Sequence, residues 1–180
     1  KNNSLLGDFN AFGDVSYNYF GGKYNQSSSE FLGFGLVNET MPDKSLISHY
    51  FYQGEALKGR EYKAEVFNGT NSSNYKLFSR QESVFDVSYN GSYQVFLVSS
   101  INSLYDGSSS GKVTNVTYYY DGYGNIAARN NYGEAYLSGD EKFERWEYSY
   151  STSPTTYIVD KPIIYQLFGE DNSTKAKETR

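Results

Sequence analysis

The chain has 180 residues and a net charge of −5, from 16 Lys+Arg against 21 Asp+Glu interleaved along its length. It offers no basic stripe to release counterions from a phosphate backbone, which argues against nucleic acid as a partner. It has no Cys, so disulfides and thiolate metal sites are excluded, and no apolar run reaches the length of a membrane span.

Its 20 Tyr and 12 Phe, beside 1 Trp and 1 Met, give many large rings, and the polar tips of the Tyr rings suit a surface that stays partly wet. The N-terminus, Lys1-Asn2-Asn3-Ser4-Leu5-Leu6-Gly7-Asp8, has no apolar run of signal-peptide length. The chain is either cytosolic or a piece of something larger whose targeting signal lies elsewhere, and the second is expected because the sequence reads as beginning within a repeat.

Helical spacing of apolar residues is weak throughout and strict alternation is frequent, so the expected class is all-β and antiparallel. The first candidate strand sets Val15, Tyr17 and Tyr19 against Asp14, Ser16 and Asn18. Strands are expected next at about 31–37, 46–52, 60–67 and 75–82. Val84 to Tyr89 then alternates Phe85, Val87 and Tyr89 against Val84, Asp86 and Ser88. Asn90-Gly91 predicts a two-residue hairpin turn into a strand at 93–99, since both residue types tolerate positive φ.

The run Val113 to Tyr119 leads into Tyr120-Asp121-Gly122-Tyr123-Gly124-Asn125-Ile126, which reads as a strand, a tight reversal and a second strand. Phe143 to Tyr150 places Trp146, Tyr148 and Tyr150 on one face and Arg145, Glu147 and Ser149 on the other. A last strand is expected at 155–166. Pro42, Pro154 and Pro162 fall near strand ends, where a missing N–H costs least. Residues 1–168 thus read as one antiparallel β domain, and 169–180, charged and without aromatics, as a disordered tail. Taken alone, this pattern would favour a β-sandwich, since two packed layers are the default way to bury a sheet face.

Tyr-Asp, two residues, Gly, Asn or Arg and then an aliphatic residue is the core of the YD repeat, and Tyr120, Asp121, Gly124, Asn125 and Ile126 resemble it position by position. The likeness extends further, through Gly21-Gly22-Lys23-Tyr24, Glu30 to Gly35, Thr40-Met41-Pro42-Asp43, Tyr50 to Gly54 with Ala56 to Arg60, Glu144 to Tyr150 and Thr155 to Pro162. Over most of residues 7 to 168 the chain resembles the Rhs/YD-repeat family, including the toxin-complex B component. The resemblance implies a segment of a long, spiralling antiparallel β-sheet, which in that family closes into a shell around a toxin or other cargo. It implies no catalytic residues in the repeat strip, a bacterial and secreted or cell-surface setting, and neighbouring repeat segments as partners. At 180 residues the chain is too short to close a shell alone, and it lacks the family's self-cleaving core region.

The remaining candidates for chemistry are thin. His49, the single histidine, lies in a predicted strand, with no nucleophile elbow and no second histidine to share a metal. Ser151-Thr152-Ser153 resembles an ADP-ribosyltransferase element, but no Glu-x-Glu follows, so the serines read as a turn before Pro154. Glu141, Glu144 and Glu147 read as solvated charge. A calcium ion on Asp106, Asp121 or Asp140 stays open, although none has defined ligand spacing. No cofactor, no metal and no enzymatic activity are expected. The competing class is a stand-alone β-sandwich binding module whose strip Trp146, Tyr148 and Tyr150 stacks on a glycan or a surface receptor.

Overall fold

The computed structural model describes residues 13–69, 71–153 and 155–180. The reading of Lys1 to Asp8, the first residues of the family resemblance and the placement of Pro154 lie outside these. Among the described residues there is no helix, and so none long and apolar enough to cross a membrane.

The strands are β1 (Ser16–Phe20), β2 (Tyr24–Asn25), β3 (Glu30–Phe31), β4 (Leu36–Thr40), β5 (Leu46–Phe51), β6 (Glu61–Asn68), β7 (Lys76–Tyr89), β8 (Tyr93–Leu104), β9 (Lys112–Tyr120), β10 (Ile126–Glu134), β11 (Lys142–Ser153), β12 (Thr156–Phe168) and β13 (Lys175–Thr179). Eleven of them form one sheet in the order β1-β4-β5-β6-β7-β8-β9-β10-β11-β12-β13, and β2 pairs only with β3. The fold is all-β and antiparallel, as expected, and a single large sheet replaces the two layers of the sandwich alternative. Where the sequence reads as one domain, contacts divide the chain into two compact units, 1–80 and 81–180, with the boundary inside β7.

In the first unit the strand expected at 31–37 is interrupted. Residues 32–35 leave the sheet and β4 starts at Leu36, because Gly21 (φ 64) and Gly33 (φ 86) turn the β2–β3 hairpin out between β1 and β4. Gln53 fixes the base of this hairpin, its Nε2 donating to Gly21 O at 2.6 Å and Gly33 O at 2.8 Å. Phe34 packs between Tyr19 and Phe31, with ring centroids 4.9 and 5.3 Å away. The two strands expected at 75–82 and 84–89 are one, β7.

In the second unit the Asn90-Gly91 hairpin has three loop residues, not two. The strands stop at Tyr89 and resume at Tyr93, and of the expected pair only Gly91 (φ 76) takes positive φ. Ser151, Thr152 and Ser153 form no turn; they finish β11 opposite Ile158, Tyr157 and Thr156. Pro162 lies inside β12 and not at its end. It pairs with Tyr148 beside a register shift, the kind of irregularity at which a proline inside a strand is tolerated.

The segment read as a disordered tail also carries structure. Asp171 accepts the N–H groups of Ser173 and Thr174, closing a turn that returns β13 along β12. Glu178 then binds Gln166 Nε2 at 3.0 Å and Arg180 Nε at 2.5 Å. Short-range capping and charge pairing order a segment that composition alone reads as solvated.

Burial is inverted relative to an ordinary core. Among the described residues the buried apolar side chains are Leu32 and Phe143, whereas Ser48, Glu65, Ser100, Ser103, Asn130 and Glu144 are buried and polar. Such a sheet depends on ring pairs between strands, each worth about 0.2–1 kcal/mol, and on polar groups that find partners.

Candidate functional site

The reversal between β9 and β10 is built on the Asp121 carboxylate. Oδ1 accepts the N–H groups of Tyr123 and Asn125, both at 2.9 Å, and Oδ2 accepts Asn125 Nδ2 at 2.9 Å and the Tyr150 hydroxyl at 2.7 Å. The backbone closes around it, with Asp121 N–H donating to Asn125 O and Gly124 N–H to Asp121 O. Gly124 sits at φ 90, and a Cβ there would lie 3.3 Å from the Phe96 ring, so both conformation and space favour glycine.

The signature residues reach three other strands. The Tyr120 hydroxyl donates to Leu97 O of β8 at 2.8 Å, and its ring lies 4.8 Å from Phe96. Asn125 Nδ2 also donates to Val159 O of β12 at 2.6 Å. Ile126 O accepts the Tyr148 hydroxyl of β11 at 3.0 Å. One hairpin turn therefore ties together β8, β11 and β12.

This is where the two candidate groups read from the sequence meet. Tyr150 binds Asp121 and packs on Tyr123 with centroids 4.7 Å apart, while Tyr148 caps the Ile126 carbonyl. Trp146 lies further along β11, 5.5 Å from the Tyr165 ring, and is half-buried. The strip is not one flat row, because register shifts follow Glu147 and Ser149. Of its three rings, Tyr150 is the most open, at 46% exposure.

The electrostatics oppose proton transfer at neutral pH. Partial burial alone would raise the Asp121 pKa, but donors from Asn125, Tyr150 and Tyr123 outweigh it and hold the group at about 2. The hydrogen bond to Asp121 pushes Tyr150 up to about 12. A general acid or base works best with a pKa near the operating pH, and both groups are driven away from it. Asp106 (φ 47) and Asp140, which accepts Glu134 N–H at 2.8 Å, belong to turns at the other end of the strands from Asp121.

His49 stands in β5 between two carboxylates, Nδ1 2.5 Å from Glu61 Oε1 and Nε2 3.4 Å from Glu39 Oε2. The neighbouring Ser48 hydroxyl turns to Asn38 at 2.9 Å, so the two do not form a nucleophile and base pair. Glu144 corrects the reading of solvated charge. It is 5% exposed, with Tyr165 Oη at 2.8 Å, Arg129 Nε at 2.7 Å and Lys142 Nζ at 3.3 Å.

Sequence reasoning passed over its counterpart. Glu65, also 5% exposed, meets Tyr50 Oη at 3.0 Å, Arg80 Nε at 2.8 Å and Lys63 Nζ at 3.5 Å. Both glutamates follow a Lys by two residues on a strand, Lys63-Ala64-Glu65 and Lys142-Phe143-Glu144, and that pattern was the available signal.

No protein-family model matches the chain, and no curated protein sequence matches it. Solved structures do match in fold. A structure of TcdB2-TccC3 with Cdc42 aligns with TM-score 0.70 at 12% identity, covering 87% of this chain and 12% of that one. A structure of TcdB2-TccC3 alone gives 0.70 at 12% identity, covering 89% and 13%. The Photorhabdus luminescens Tc holotoxin pore carrying a TccC3 substitution gives 0.71 at 12% identity, covering 88% and 12%. The chain thus spans about an eighth of the length of the toxin chains it resembles, and it shares the fold of that part.

Proposed function

We propose that this chain is a non-enzymatic length of β-sheet wall from a larger Rhs/YD-repeat, toxin-complex-like bacterial protein, secreted or displayed at the cell surface. Its role is to form part of a cargo-enclosing shell or an extended scaffold. The observation that carries this reading is the Asp121 turn, where Tyr120, Asp121 and Asn125 all direct their polar atoms to strands of the sheet. The polar character of the buried positions supports it, since a wall wet on both faces has no oily interior. The likeness in fold to parts of Tc toxin chains agrees with it.

A wall segment meets its neighbours at its edges. In the described sheet β1 is terminal, carries no charge in Ser16-Tyr17-Asn18-Tyr19-Phe20 and is exposed throughout. The opposite edge, β13, is guarded by Lys175 and Lys177. The isolated chain is expected to self-associate through β1, and Tyr19→Lys is expected to reduce that association. Size exclusion with light scattering is the test, and a clean wild-type monomer at high concentration would count against the wall. Glycan-array binding abolished by Trp146→Ala would instead favour a stand-alone binding module.

A further inference from the structure

We infer that Glu65 and Glu144 are register keys, buried carboxylates that fix how each unit's strands align. The two sites use the same residue types, although Arg80 Nε hydrogen-bonds Glu65 whereas Arg129 Nε and Glu144 Oε2 lie 2.7 Å apart as an ion pair without hydrogen-bond geometry. In the first unit Glu65 of β6 takes Tyr50 from β5, Arg80 from β7 and Lys63 from two residues earlier on its own strand. In the second, Glu144 of β11 takes Tyr165 from β12, Arg129 from β10 and Lys142 from two residues earlier. Each carboxylate is therefore held from both neighbouring strands at once. Lys63 also lies over the Tyr50 ring, 3.9 Å from its centroid.

Such a key answers a problem specific to this sheet. A slip of one residue moves every side chain to the opposite face, but a slip of two leaves the faces unchanged. In most sheets a dense apolar core penalises the two-residue slip as well. Here the apolar side chains buried among the described residues are Leu32 and Phe143, and neither lies on β5, β6 or β7. The connection from β5 to β6, residues 52–60, is long enough to yield two residues.

The native register sets Ser48 opposite Glu65 and Tyr50 opposite Lys63. Sliding β6 so that Ile47 faces Ala64 carries Glu65 two residues further from Tyr50. Lys63 moves with it on the same strand, but the carboxylate loses the donor that β5 supplies, and a buried charge short of a partner is costly. The alignment that keeps Tyr50 on Glu65 is thereby selected over this slip, which is separate from any net stability the ions add.

The absence of Cys allows this to be read by disulfide trapping. Ile47→Cys with Val66→Cys reports the native register, in which those residues are partners, and Ile47→Cys with Ala64→Cys reports the slipped one. With Glu65 intact, the native pair is expected to oxidise and the slipped pair to stay largely reduced. Adding Glu65→Leu, Arg80→Leu and Tyr50→Phe is expected to raise cross-linking of the slipped pair at least tenfold while β circular dichroism persists.

A slipped pair that stays reduced in this folded background would overturn the inference. Should the apolar variant fail to fold, Glu65→Gln is put through the same trap, with Glu144→Gln as the control that leaves the first unit's register unchanged. Equal trapping in those two would also overturn it.

Discussion

Two turns in this molecule share a backbone plan and differ in what they hold. At 41–45, Met41 N–H donates to Ser45 O and Lys44 N–H to Met41 O; at 121–125, Asp121 N–H donates to Asn125 O and Gly124 N–H to Asp121 O. The fourth residue has positive φ in both, 72 for Lys44 and 90 for Gly124. In the first turn the carboxylate, Asp43, caps only Ser45, through its N–H at 2.9 Å and its hydroxyl at 2.6 Å. In the second, Asp121 binds the turn and also Tyr150 of β11, and Asn125 extends to Val159 of β12. A Tyr-Asp-x-x-Gly-Asn spelling is therefore not needed to reverse the chain. It fastens the reversal to neighbouring strands.

The comparison can be broken at its strongest point first. Asp121→Ala leaves four donors without their acceptor and is expected to cost about 2 kcal/mol, moderated by solvent at the turn; urea unfolding measures it. Asp43→Ala is expected to cost clearly less in the same assay, because only Ser45 loses a partner. Equal losses would show that cross-strand fastening contributes nothing.

Gly124→Ala combines an unfavourable φ with a close approach to Phe96 and is expected to cost about 1.5 kcal/mol. The opposite change at the matching position, Lys44→Gly, relieves the same strain and is expected to gain about 0.5 kcal/mol. The sign difference between these two substitutions is the sharpest check that the turns share one geometry.

The smallest effects lie at the extremes of pH. Asp121 has a depressed pKa of about 2. Its contribution is present above the unfolded value of about 3.9 and fades as pH falls through 2, so wild type and Asp121→Ala should converge there. Tyr150 is raised to about 12. Its contribution is complete below the ordinary tyrosine value near 10 and is lost as pH rises through 12. The melting-temperature gap between wild type and Tyr150→Phe should therefore persist at pH 10 and close by 12.

Alternation made most of the fold legible. The alternation along β7 and the reversal at Tyr120 to Ile126 follow from residue order, because both depend on near neighbours in the chain. The interruption at 32–35 was hidden because Leu32 and Phe34 look like strand residues while Gly33 decides the path. The order of β13 was hidden because its stability comes from Asp171 capping a turn and Glu178 meeting Gln166 across β12.

At the candidate site, the sequence named Asp121, Asn125 and the ring strip, but not that Tyr150 would be a ligand of Asp121. They are 29 positions apart, and only the pairing order β9-β10-β11 brings them together. Glu144 was misread for a related reason. A charge on a strand looks solvated until Arg129 and Tyr165 arrive from the strands on either side.

By itself, then, the sequence determined an antiparallel β chain rich in half-buried rings with a tight reversal at Tyr120 to Ile126, since local alternation and turn chemistry depend on near neighbours. The tertiary structure alone decided that the strands form one large sheet with polar buried positions, and which side chains meet across it. Those outcomes depend on strand order and register, which arise from contacts between residues far apart in the chain.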